Sequence, residues 1–131
     1  MNQNAYLIMR LALGASMFGH GLVRLPKLNA FSHWMVESFE KSFLPKLMVV
    51  PFSYLLPIAE FGVGLLLILG LFTQQSLMAG AVVILMLIFG TTLIENWEAL
   101  PSQLIHVAFF AVLLQFISSN SVALDILINK K

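Results

Sequence analysis

The chain has 131 residues, of which 60% are hydrophobic and 10% charged, and its formal net charge is +1. Soluble domains carry about 25% charged residues, so this balance places the chain in a bilayer, and a net charge so near zero provides no basic field for nucleic acid. The absence of cysteine excludes disulfide exchange, thiolate nucleophiles, iron–sulfur clusters and cysteine zinc sites.

The first predicted element is a transmembrane helix over residues 5–25, closed by Pro26. The six residues before and at its start, Met1 to Tyr6, lack the basic region of a signal peptide, so this apolar run is expected to be retained. Residues 29–45 follow as an amphipathic helix, with Phe31, Trp34, Met35, Phe39 and Phe43 at helical spacing and His33, Glu37, Glu40 and Lys41 mostly off that stripe. Such a pattern is expected to lie in the headgroup boundary. A second span is predicted over 49–72 with Pro51 in its first turn, then a tight turn at Thr73-Gln74-Gln75 and a third span over 76–94. Pro101 is expected in the first turn of the fourth span, placed at 104–127. The predicted fold is therefore all-α: an integral membrane four-helix bundle in one domain, 1–131, with an interfacial amphipathic helix between the first and second spans. An even number of crossings puts both termini on one face. Lys130, Lys131 and Arg10 on that face nearly balance Arg24, Lys27, Lys41 and Lys46 on the other, so the positive-inside rule specifies no orientation.

Glu60 stands out, because a charged side chain near the bilayer centre costs roughly 2.5–3.5 kcal/mol and must be protonated, paired or turned to a polar cavity. A ruler of 1.5 Å per residue, run from the face where the first span ends, puts Arg24 at the rim. His20 then lies about 6 Å in, His106 about 7 Å and Glu60 about 13 Å. His20 and Arg24 are four apart on one helix face. Gly14, Gly19 and Gly21 flank His20, and Gly64 follows Glu60 by one turn, so a neighbouring backbone or a flat ligand can approach there. Pro57 frees the carbonyl of Ser53 one turn before Glu60. Thr91, Thr92, Asn96 and Trp97 come towards the same rim from the third helix. Arg10 lies deeper and is expected to snorkel towards the termini as an anchor. The candidate ligand-binding set is thus His20, Arg24, Glu60, Gly64 and His106, with Arg10, Thr91, Thr92, Asn96 and Trp97 as secondary polar residues. The same residues also allow a purely structural reading, in which Glu60 locks helices in register and His106 packs at a helix end.

Three blocks and a tail, taken in order, resemble the DoxX family of small bacterial membrane proteins. They are Arg10-x3-Gly14; His20-Gly21-x2-Arg24-Leu25; Ala59-Glu60-x3-Gly64 continuing to Gly70-Leu71-x-Thr73; and Ala123-Leu124-Asp125. Gln74 replaces the basic residue usual after the Gly-Leu-x-Thr turn, and Ser118-Ser119-Asn120 replaces the usual glycine-rich stretch. The resemblance implies a four-helix bundle of the bacterial inner membrane, associated with respiratory or redox complexes, since relatives include subunits of thiosulfate:quinone oxidoreductase. The wider group is similar in fold to quinone and vitamin K reductases, whose cysteine pairs this chain lacks.

Four functions are compatible with these residues. The leading one is a subunit of a membrane oxidoreductase system that holds a quinone or other lipophilic ligand, with His20 and Arg24 on a carbonyl or oxyanion and Glu60 exchanging a proton. It needs the bilayer and either a partner subunit or a second copy. The others are a scaffold that docks a partner through the amphipathic segment, a proton-coupled small-solute transporter that would have to oligomerise, and a metal protein. In the last, His20, His106 and Glu60 would hold iron or zinc, or the two histidines a haem. The leading function involves no metal ligands.

Overall fold

The computed structural model describes residues 1–129, and every element in them is helical. Helix α1 (Gln3–Arg24) begins where Asn2 accepts hydrogen bonds from the N–H groups of Asn4 and Ala5 at 2.8 and 3.3 Å, an N-cap. A 3-10 turn containing Pro26 joins it to α2 (Leu28–Ser38). Helix α2 is shorter than the predicted 29–45. The Ser42 hydroxyl donates to the carbonyl of Phe39 and accepts from the N–H of Leu44, so the backbone here finds its partners in turns instead of a helix. Of its apolar stripe, Met35 is buried against α3 while Trp34 is exposed.

Helix α3 (Lys46–Leu69) starts one turn earlier than predicted, with Pro45 as N-cap, so that both Pro51 and Pro57 lie inside it. Its end is a Schellman motif: Gly70 takes φ 67°, and the N–H of Leu71 bonds the carbonyl of Leu66 at 3.0 Å. Helix α4 (Thr73–Leu93) therefore begins at Thr73, and the tight turn is Gly70 to Phe72, not Thr73 to Gln75. Helix α5 (Leu100–Gln115) has Pro101 in its first turn, as predicted, but stops well before residue 127. After a 3-10 turn and an irregular stretch, the short α6 (Leu124–Ile128) follows.

Partners supplied by the rest of the fold explain why the last apolar run breaks. The Asp125 carboxylate accepts from the N–H groups of Phe72 and Thr73 at 2.7 and 2.8 Å, capping α4 from across the chain. Asn120 accepts from the Arg10 guanidinium and donates to Thr73, and the Ser119 hydroxyl donates to the carbonyl of Met1. A continuous helix over 104–127 could not put these groups there. Arg10 consequently does not snorkel to water: it is 2% exposed, and the missing side chain at Gly70 makes room for it, since a Cβ there would lie 2.6 Å from Nη1. Lys130 and Lys131, which entered the charge balance of the two faces, lie outside the described residues.

At Asp125 burial opposes ionisation, but the hydrogen bonds from Thr73 and Phe72 and the charge of Arg10 outweigh it and hold the carboxyl below its usual range. Its cap is therefore fully present above the ordinary value of 3.8 and is lost as the pH falls below it through the lower folded value. Asp125→Ala is expected to cost about 1 kcal/mol near neutral pH, typical of a lost cap. Melting of both proteins in detergent across an acid series checks this, because the difference should vanish at the acid end.

Helix α1 packs mainly on α3, α5 on α4, α2 on α3, and α3 on α4. The main core, between α1, α3, α4 and α5, holds Tyr6, Leu13, Met17, Leu67, Leu77 and Phe110 among others; a smaller one under α2 holds Met35, Val49 and Leu56. Three stretches are long and apolar enough to cross a membrane: Gln3–Ser38, α3 and α4; α5 is apolar but shorter.

Candidate functional site

The α1–α3 contact places the site. Along it Gly14, Gly21 and Gly64 bring the two backbones together, with a Cβ on Gly64 falling 2.1 Å from the N of Phe18 and one on Gly21 falling 2.4 Å from the N of Phe61. Close packing of small residues is the usual means of helix association where lipid removes the hydrophobic drive. It also sets the register that brings Arg24, in the last turn of α1, level with Glu60 in the middle of α3. Their side chains form an ion pair, Arg24 Nη1 donating to Glu60 Oε2 at 2.6 Å. The carboxylate is almost wholly buried and the guanidinium about one-quarter exposed. The guanidinium also lies 4.7 Å above the ring of Phe31, held by an aromatic face from α2.

The pair forms one wall of a cavity of about 200 Å³ that His20 and His106 also line, with Ser102 and Gln103 from α5 and an apolar floor that includes Met17 and Ile84. Both imidazoles are oriented the same way. A carbonyl can only accept, so the Nδ1–H of His20 donates to Ser16 and that of His106 to Ser102, each at 2.7 Å. In the neutral rings this leaves Nε2 as an acceptor. For His106 that acceptor is taken by the Ser16 hydroxyl at 2.7 Å, a bond that ties α1 to α5. The Nε2 of His20 and the Oε1 of Glu60 have no hydrogen-bond partner among the described residues. Gln103 donates to Thr91 at 2.8 Å, while its own Oε1 is buried without a partner. The cavity thus offers a paired cation, a free imidazole nitrogen and unpaired acceptors, an arrangement that can hold a small polar group and exchange a proton with it.

Of the residues singled out in the sequence, His20, Arg24, Glu60 and His106 line this cavity. Gly64 does not; it meets the backbone of α1, for the steric reason just given. Thr91 reaches the cavity only through Gln103, Thr92 bonds the carbonyl of Phe89 in its own helix, and Trp97 is exposed. Asn96 uses its N–H to close the end of α4 on Thr91. Arg10 belongs to the cluster around Asn120 at the terminal end. Sequence reading missed Ser16, Ser102 and Gln103. The available signal was their spacing, four residues before His20 and four and three before His106, which places them on the histidines' faces.

The cavity residues do not fit a metal centre. Among the described residues no three His, Asp or Glu side chains are grouped so as to hold an ion. The two imidazoles meet edge to face with centroids 6.1 Å apart, and the cavity is too small to enclose a porphyrin.

A family model described as DoxX matches residues 5–97, more than half of the chain. The chain belongs to the DoxX family. With its apolar helices, this makes it a membrane protein. The DoxX match takes in His20, Arg24, Glu60, the glycines of the α1–α3 contact and the Gly70–Thr73 turn; α5, with Ser102, Gln103 and His106, lies past its end. No curated protein and no solved structure matches this DoxX chain.

Proposed function

We propose that this DoxX-family protein is a subunit of an oxidoreductase system of the bacterial inner membrane, and that it holds the head of a quinone or similar lipophilic ligand in the cavity between His20, Arg24, Glu60 and His106. The observation that carries this reading is the meeting of two cavities on one side chain. His106 lines the polar cavity and also an apolar one of about 130 Å³ formed by Ala12, Leu13, Ser16, Ile105 and Phe109 in the α1–α5 seam. A polar head and an apolar tail match that pair of spaces. The head must be small, because the polar cavity falls below the range of about 300–1,000 Å³ of sites that enclose a whole drug-sized ligand.

A quinone supplies two-electron, two-proton chemistry, and with no cysteine in the chain the electrons would come from a partner subunit. The chain's own residues hold and protonate. Arg24 donates to a carbonyl oxygen, the buried oxygen of Gln103 accepts from a hydroxyl, and Glu60 with His20 exchanges protons with the cavity mouth.

In the membrane arrangement that goes with this reading, α1, α3, α4 and α5 cross as a four-helix bundle and α2 lies at the interface. Helix α5 spans only about 24 Å. Its crossing is nonetheless supported by the bonds of Ser119 to Met1 and of Asp125 to the start of α4, which return the chain to the end from which α4 departs.

Thermal melting with a panel of ubiquinone and menaquinone analogues tests the proposal. A ligand at one hundred times its Kd adds about 2.7 kcal/mol, so a clear rise in Tm is expected for the wild type and none for Glu60→Gln or His20→Ala. Melting curves that do not change across the panel overturn it.

A further inference from the structure

Two more cavities abut where α2 ends and α3 begins, and they share no lining residue with the polar site. One, of about 190 Å³, is walled by apolar side chains, with Met35 and Phe52 on one side and Met86 and Phe89 of α4 on the other. The second, of about 330 Å³, shares Phe39, Leu44 and Val49 with it and carries Glu37, Glu40 and Lys46. The three shared residues form a waist, so the two make one slot that is apolar within and charged at the mouth.

The charges at that mouth are arranged in an unusual way. Lys46 and Glu40 line the same cavity, yet neither forms an ion pair with any group among the described residues. The Glu37 carboxylate pairs with His33, an exposed contact one helical turn away at 3.1 Å. Opposite charges that face one space without meeting leave room for a zwitterion between them. Around the mouth Phe43, Leu47 and Met48 are strongly exposed, and Trp34 is more than half exposed, a composition that belongs at the headgroup level of a bilayer. Unbranched methionines on both walls allow the apolar part to adapt to a flexible chain.

We propose that this slot binds one phospholipid with a primary-amine zwitterionic headgroup, of the phosphatidylethanolamine type. The ammonium group donates to Glu37 and Glu40, the phosphate pairs with Lys46, and the upper part of one acyl chain passes the waist to lie between Met35, Phe52, Met86 and Phe89. Selectivity follows from the donors. An ammonium has three N–H groups for two carboxylates, a choline head has none, and an anionic glycerol head brings no cation to the two carboxylates.

The test is lipid retention by the purified full-length chain in detergent, read by native mass spectrometry after exposure to equimolar phosphatidylethanolamine, phosphatidylcholine and phosphatidylglycerol. The wild type is expected to keep the amine lipid several-fold over the other two. Glu37→Gln/Glu40→Gln alters only side chains at the protein surface and should abolish the preference, while Leu44→Trp, which fills the waist, should reduce retention of all three. Equal retention of the three lipids by the wild type, or an undiminished preference in the double variant, overturns the proposal.

Discussion

Gly64→Ala is expected to be among the most damaging single substitutions in this chain, although it adds one methyl group. The new Cβ would lie 2.1 Å from the backbone N and 2.5 Å from the Cα of Phe18, and a backbone cannot rotate away as a side chain can. Helices α1 and α3 would have to separate, which loosens the contact that aligns Arg24 with Glu60. Overpacking costs typically 1–3 kcal/mol, and a backbone clash belongs at the upper end, about 3 kcal/mol. Gly21→Ala, with 2.4 Å to the N of Phe61, should behave alike. Gly19 and Gly62 provide the contrast, because nothing lies within 4 Å of a Cβ at either. Alanine there should be neutral or stabilising by up to about 1 kcal/mol from helix propensity. Unfolding of the four variants in one detergent checks this, and a Gly64→Ala protein as stable as Gly62→Ala would rule out the close α1–α3 contact at Gly64.

The second large effect concerns the ion pair. Arg24→Met leaves the Glu60 carboxylate buried with no partner for Oε2, and breaking a buried pair from one side costs about 3–5 kcal/mol. Because Arg24 is about one-quarter exposed, the lower end of that range is expected, near 3 kcal/mol. Replacing both residues should be milder than the sum of the two single changes, since Arg24→Met/Glu60→Met leaves no charge stranded. A double-mutant cycle of unfolding free energies measures the coupling, expected at about 1–3 kcal/mol. Additive single effects would mean that the pair contributes nothing beyond its two members.

These two predictions rest on different parts of what could be read from the residues. The helix ruler assigned His20, Arg24, Glu60 and His106 to one half of the molecule, and those four line one cavity. Depth along a helix follows from chain position alone, so it is legible without knowing the neighbours. Rotation and contact are not. Gly64, Gly21 and Gly19 look equivalent in sequence, yet two face a backbone at close range and one faces open space. Ser16 and Gln103 carry no charge, and their importance comes from the α1–α5 and α4–α5 contacts that bring His106 and Thr91 to them.

The terminal end shows the same division. Hydropathy alone extends the last helix to residue 127, because Val122 to Ile128 is as apolar as the run before it. What ends that helix at Gln115 is a set of demands from elsewhere: Arg10 needs an acceptor, α4 needs a cap, and Asn120 and Asp125 can meet both only if the chain between them is irregular. By itself the sequence determined the all-helical apolar character, the order of the elements and the depth of each polar group, because these depend on composition and on a fixed rise per residue. Only the tertiary structure decided which groups meet, since pairing depends on the helix rotations and approaches that close packing selects.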